Sequence, residues 1–221
     1  MIEMFPIKRT KFESDSETDF VAIANLHFDH IAAHSAFIIN HKKQLTLFHY
    51  TGTSVEYGYV DEDYYHRNTD TIAPDEVPSF IAFCQYIKKK AKPKYGYFYS
   101  GECYDSEGNH ISNSYSGERM TCVGFCLNVL KGFLEEDYIN YKDWDEDSHE
   151  DRDYLDRYCK KHNLNPDNLQ KSHRRINPRE CLASAFFNNL PIRKVSIDEK
   201  SIFLNQYFDN FLKVISDDEE E

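Results

Sequence analysis

Six cysteines and ten histidines are the residues of this chain best suited to nucleophilic and acid–base chemistry. Cys122 stands apart from the other cysteines by position. A polar, turn-rich stretch with Ser112, Asn113, Ser114, Ser116 and Gly117 leads to Thr121, and an apolar run then begins abruptly at Cys122 and continues to Leu134. The run fits a helix, with Phe125, Val129, Gly132 and Phe133 on one face and Cys122 and Cys126 beside them. Thr121 can act as N-cap by taking a backbone donor of the first turn. A thiol in that turn lies at the positive end of the helix dipole, which favours the thiolate that a cysteine nucleophile needs. A buried core thiol is the competing explanation, and it suits Cys126 better.

A cysteine nucleophile needs a base, and the base needs a partner to orient it. His34 begins the strand-like run His34–Ile39, Asn40–Lys43 is a polar turn, and Gln44–Tyr50 reads as the returning strand. Positions 34 and 49 mirror each other about a turn centre near 41 or 42, so His34 and His49 can face each other across an antiparallel pair. Two half-exposed strand-end histidines without a shared task are the plain alternative. His27, Asp29 and His30 form a second cluster, but no further ligands at zinc-like spacing accompany them, and no metal is expected. Asp29 or His30 could orient the base in place of His49.

The elements that must carry these residues are strands in the first half of the chain and mostly helices after it. Strands are expected at Asp19–Leu26, at the hairpin just described, at Val55–Val60 and at Tyr95–Tyr99, with a polar connection over Asp61–Asp70. Helices are expected at Pro78–Lys92, from Ser148 to His162, and from Pro178 with Asn177 as N-cap, its core face including Cys181, Leu182, Ala185 and Phe186. A last helix over Asp198–Ile215 would turn Ile202, Phe203, Tyr207, Phe211 and Leu212 inward. The fold class is α+β, an antiparallel sheet packed against the cysteine-bearing helix with extra C-terminal helices. Asp105–Asn109 is a turn that lacks the full calcium-loop pattern.

The 221 residues suffice for one domain, read here as 1–216 followed by an acidic, solvated and disordered tail over 217–221. A net charge of −12 argues against nucleic acid or an anionic membrane as the main partner. No run approaches the length of a membrane span, and Met1–Phe12 lacks the apolar segment of a signal peptide. Scattered cysteines in apolar contexts fit reduced thiols in a cytoplasmic compartment, or export by a route that uses no signal peptide. No cofactor is expected.

Thr121-Cys122-Val123-Gly124-Phe125 resembles the helix-start motif Asp-Cys-Ser-Gly-Phe of the NlpC/P60 cysteine peptidases, with Thr121 and Val123 in place of the aspartate and serine. In the usual family order a strand-borne histidine follows the cysteine, yet His149, His162 and His173 all lie in polar or charged stretches. A histidine that opens a strand ahead of the cysteine helix is similar to the circularly permuted group, which includes the lecithin retinol acyltransferase-like proteins. His34-Ser35-Ala36-Phe37-Ile38 resembles the first element of that group, and His49 falls where its acyltransferase-like members carry a second histidine. The acyltransferase signature Asn-Cys-Glu-His-Phe is absent, which points toward the bacterial-type permuted peptidases.

The resemblance covers roughly His34–Leu134. It implies a papain-like core, Cys122 as nucleophile, His34 as base, His49 as orienting group, and a peptide or acyl substrate such as a cell-wall peptide. It implies hydrolysis of an amide or peptide bond through an acyl-enzyme. The alternatives are a catalytically inactive binding protein on the same fold, a thiol acyltransferase or lipid hydrolase, and a thiol-redox or metal protein using Cys122 and Cys126.

Overall fold

A computed structural model describes residues 7–10, 18–28, 31–96, 99, 101–112, 117–144, 156–157, 159–161, 163 and 175–218. The chain is mixed α+β. Its centre is a six-stranded antiparallel sheet formed by β1 (Lys8–Arg9), β2 (Phe20–Phe28), β3 (Ile31–His41), β4 (Gln44–Tyr50), β5 (Val55–Gly58) and β6 (Tyr65–Asn68). The strand order is β1-β6-β2-β3-β4-β5. β6 falls in the stretch expected to be only a polar connection. Its sequence, Tyr-His-Arg-Asn, hides the strand because long polar side chains rather than aliphatic ones carry it between β1 and β2.

β2 and β3 are buried on both faces, which is why their sequences read as continuous apolar runs. Val21, Ile23, Phe37, Ile39, Phe48 and Tyr50 face the helices. Phe20, Ala22, Ala24, Ala36, Ile38 and Leu47 point the other way, where Tyr64 and Val60 pack on them. Lys42 and Lys43 make the two-residue β3–β4 turn with φ of 52° and 65°. Positive φ at both central positions gives the turn a twist that matches its strands. The hairpin therefore pairs Phe37 with Phe48 and His41 with Gln44. Extended by one residue, this register sets Ala36 opposite His49, so the expected direct pairing of His34 with His49 is corrected to a diagonal one. The turn centre lies between 42 and 43, later than the sequence spacing suggested.

α1 (Val77–Lys90) and α2 (Cys122–Leu134) cover the helical face. Thr121 Oγ1 accepts a 3.0 Å hydrogen bond from Gly124 N, so the expected N-cap is present. The buried surface of α2 extends beyond the single face that the spacing suggests. Val123 through Leu130 are all buried, so the helix is central rather than one-sided. A Cβ built on Gly132 would lie 2.2 Å from the Tyr104 carbonyl oxygen, so glycine there lets α2 press against the hairpin of β8 (Cys103–Tyr104) and β9 (His110–Ile111). β7 (Lys94–Tyr95) and β10 (Arg119–Met120) form a short parallel pair that leads into α2.

α3 (Pro178–Ser184) starts with Asn177 as N-cap: Asn177 Oδ1 accepts from Glu180 N at 2.9 Å, and Asn177 N donates back to Glu180 Oε2 at 2.8 Å. α4 runs over Lys194–Asp218, starting earlier than expected and continuing into the acidic end, where a tail from 217 was expected. Its inward face carries Ile197, Leu204 and Phe208 rather than Ile202 and Phe203, which are exposed. The side chains of Phe211 and Leu212, the acidic stretch 145–155, His149, His162, His173 and residues 219–221 lie outside the described residues, as does much of the helix expected over 148–162.

Candidate active site

β3 pairs with β2 along its length but with β4 only from Phe37 onward. Its first residues therefore overhang, with one backbone edge uncovered by β4. The N-terminus of α2 comes up to this edge, and Ser35 N donates to Cys122 Sγ at 3.4 Å. Side chains alternate along a strand, so His34 and His49 belong to the face of Ala36, Ile38 and Leu47, opposite the face on which α2 packs. The overhang is what lets a helix on one face and a histidine on the other share a space. His34 and Cys122 both line one cleft of about 370 Å³.

Its walls come from four places: Ala32, Ala33 and His34 on β3; Tyr50, Thr51 and Gly52 at the end of β4; Thr121, Cys122 and Val123 at the start of α2; and Arg175, Ile176, Asn177 and Pro178 ahead of α3. Tyr95 completes them. The segment 175–178 is legible in the sequence as a helix cap, but nothing in it signals a cleft wall. That role appears only when α3 docks on β2 and β3. A buried polar chain holds this docking: Ser35 Oγ donates to Asn25 Oδ1 at 3.1 Å, and Asn25 Nδ2 donates to the Pro178 carbonyl at 2.8 Å. Asn25 and Ser35 are fully buried. Such a chain, satisfied on both sides, fixes the backbone that faces Cys122.

His34 Nε2 and His49 Nδ1 are 2.8 Å apart, a hydrogen-bond distance reached across the diagonal because both rings are long. The ring planes are nearly perpendicular, at 75°. This contact leaves Nδ1 of His34 as the nitrogen that can take a proton from elsewhere. If His34 Nε2 carries the hydrogen, it donates to His49 Nδ1, and His34 Nδ1 is an acceptor.

The electrostatics of the resting site differ from the sequence expectation. Burial pushes the Cys122 thiol above its ordinary range, although the backbone N–H groups of Ser35, Val123 and Cys122 pull it down. Burial, and then the neighbouring His49, push His34 down to about 4. Burial also lowers His49, while Asp61 and Glu56 pull it up. Desolvation thus outweighs the helix end at Cys122, and the resting cleft holds a neutral thiol and a neutral imidazole. Asp61 and Glu56 are additions that sequence reading missed. Glu56 is reached because β5 pairs it with His49.

His27 does not line this cleft. It packs among Tyr65 and Phe208, with ring centroids 4.9 Å and 4.3 Å away. Asp29 and His30 lie outside the described residues. Among the described residues, no group of three or more histidine, cysteine or acidic side chains could hold a metal ion. No described helix is long and apolar enough to cross a membrane. Comparison with protein-family models, with curated proteins and with solved structures finds no match to this chain.

Proposed function

We propose that this chain is a cysteine hydrolase of the permuted NlpC/P60, papain-like kind, cleaving an amide or peptide bond through an acyl-enzyme on Cys122. The observation that carries the reading is the cleft shared by Cys122, at a capped helix start, and His34, whose far ring nitrogen is bonded to His49.

In the proposed reaction the Cys122 sulfur forms a bond to the substrate carbonyl carbon as its proton passes to Nδ1 of His34. His49 accepts from Nε2 of His34 and so stabilises the imidazolium, with Asp61 and Glu56 favouring positive charge behind it. The imidazolium then returns the proton to the leaving amine as the carbon–nitrogen bond breaks. Water attacks the thioester with His34 again as base, releasing the acid and the thiol. Because the resting pair is neutral, proton transfer accompanies attack rather than preceding it.

The test is a panel of peptides and acyl esters incubated with wild type and Cys122→Ala. The reading expects at least one substrate whose turnover disappears in the variant while the fold, read by circular dichroism, is unchanged. Equal turnover in both proteins rejects it. A second reading, a binding protein on the same fold, is favoured by the raised Cys122 thiol and the lowered His34. It predicts that peptides bind wild type and Cys122→Ala alike and that neither protein turns them over.

A further inference from the structure

The cleft lies where two neighbouring strands part. β3 and β4 pair from His41–Gln44 to Phe37–Phe48 and no further. β4 then continues along β5, with His49 opposite Glu56 and Tyr50 opposite Val55, while β3 continues along β2. Ala32–His34 on β3 and Tyr50–Gly52 at the end of β4 line the same cleft. The β3–β4 turn has two central residues, so the hydrogen-bonded pair that closes it is His41 with Gln44. Bonded pairs alternate along an antiparallel ladder, which makes Ile39–Thr46 and Phe37–Phe48 the next two. The odd-numbered residues of β3 therefore turn their backbone groups toward β4. Ser35 is the next of them, and with no β4 carbonyl beside it, its N–H donates to Cys122 Sγ instead. The cysteine sulfur thus stands where a neighbouring strand's backbone would stand.

Ahead of Ser35 this edge is open. The β2–β3 register shifts between Leu26–His34 and His27–Ala32, so Ala33 has no opposite residue on β2, and it has none on β4. Ala33 is exposed and lines the cleft. An extra residue of this kind breaks regular pairing and re-aims the backbone beside a site. Among the described residues no other strand covers the edge.

We infer that the cleft binds a peptide in extended form, its backbone pairing with β3 along Ala32–His34 as an added strand that ends at Cys122. This rests on the acyl-transfer reading and deepens it by naming what the site recognises, the main-chain amides of a peptide. An uncovered strand edge is a template for another backbone, and alternate N–H groups of the added strand face it. An alkyl chain offers such an edge neither donor nor acceptor.

The test alkylates Cys122 with bromoacetyl-tetra-L-alanine amide and with acetyl-tetra-L-alanine chloromethyl ketone, which carry the peptide on opposite sides of the electrophile. In each, the sulfur–carbon bond forms, halide leaves and the thiol proton passes to buffer. Each reagent is also made in four further forms, N-methylated at one alanine at a time. Rates at Cys122 are read by peptide mass spectrometry at an alkaline pH where the thiol reacts, and are divided by the rate with glutathione. In at least one series, N-methylation at alternate alanines should slow labelling about fivefold, the worth of one lost backbone hydrogen bond. Methylation at the intervening alanines should change little. N-hexylbromoacetamide, treated likewise, should label more slowly than bromoacetyl-tetra-L-alanine amide.

Losses at no position, or equal losses at all four, in both series overturn the inference. So does faster labelling by N-hexylbromoacetamide, or no labelling of Cys122 by either peptide. The protein is unaltered throughout, so no variant has to fold. Alkylation requires a thiol and not turnover, so failure of the hydrolase reading leaves this result standing, and failure here leaves that reading untouched.

Discussion

His110 and His34 both sit near polar partners, and the partners make them different objects. His110, in β9, lies with Nε2 3.0 Å from Glu102 Oε2, and both side chains are almost wholly enclosed. Ser112 Oγ donates to the other carboxylate oxygen at 2.8 Å. This cluster ties the two ends of a small hairpin and lines no described cleft. His34 is bonded to a second imidazole instead of a carboxylate and lines a cleft that it shares with the thiol-bearing helix start. A histidine held by a carboxylate in the interior works as a cross-link. On the proposed reading, one held neutral by burial, with a second imidazole behind it and space in front, takes a proton and gives it back.

The contrast predicts opposite signatures for the same substitution. His34→Gln should cut turnover of any substrate found by about 10²–10⁴-fold, the usual worth of a general base, with little loss of stability. His110→Gln should leave turnover per folded molecule unchanged and lower stability by about 2 kcal/mol, because the carboxylate of Glu102 loses one of its partners in the interior. Urea unfolding alongside steady-state kinetics separates the two. If the signatures are exchanged, the roles have been assigned the wrong way round.

Acid titration sharpens the same comparison. His34 is held down to about 4 in the folded chain, against 6.5 for a free imidazole. The unfolded chain therefore binds a proton that the folded chain refuses in that interval. Stability is full above the unfolded value and is lost as pH falls toward about 4, by about 2 kcal/mol after allowance for partial exposure. His34→Gln should remove this share of the acid loss, measurable by denaturant unfolding along a pH series. On the proposed reading the same shift should set the acid limb of kcat/KM, for any substrate found, near pH 4 rather than near 6.5. The smallest effect concerns the helix start. Thr121→Ala removes the bond to Gly124 N and should cost about 1 kcal/mol.

Local signals carried the helix start well. Thr121, Asn177 and Pro178 announce their caps because capping is a contact between near neighbours. The approach of His34 to His49 was legible in outline, since one hairpin holds both. Its register was not, because two lysines take left-handed φ where asparagine or glycine would have marked the turn. The resting charge state was misread. Helix position is visible in a sequence, but the burial that overrides it at Cys122 depends on how the chain closes around the cleft. Arg175 escaped notice as a cleft residue because it lies far along the chain from every other wall. The phase of α4 was misjudged because Ile202 and Phe203 look like core residues, whereas Ile197, Leu204 and Phe208 are the ones that meet it.

The central claim is that His34 drives attack by the Cys122 sulfur. The most direct measurement is intact and peptide mass spectrometry of the protein mixed with an activated ester such as p-nitrophenyl acetate, quenched in acid at short times. The account predicts an acyl group on Cys122, reversed by hydroxylamine, that forms faster in wild type than in His34→Gln by a factor of about 10² or more. An acyl group that forms on Cys122 equally fast in both proteins, or none on Cys122 at all, would contradict it.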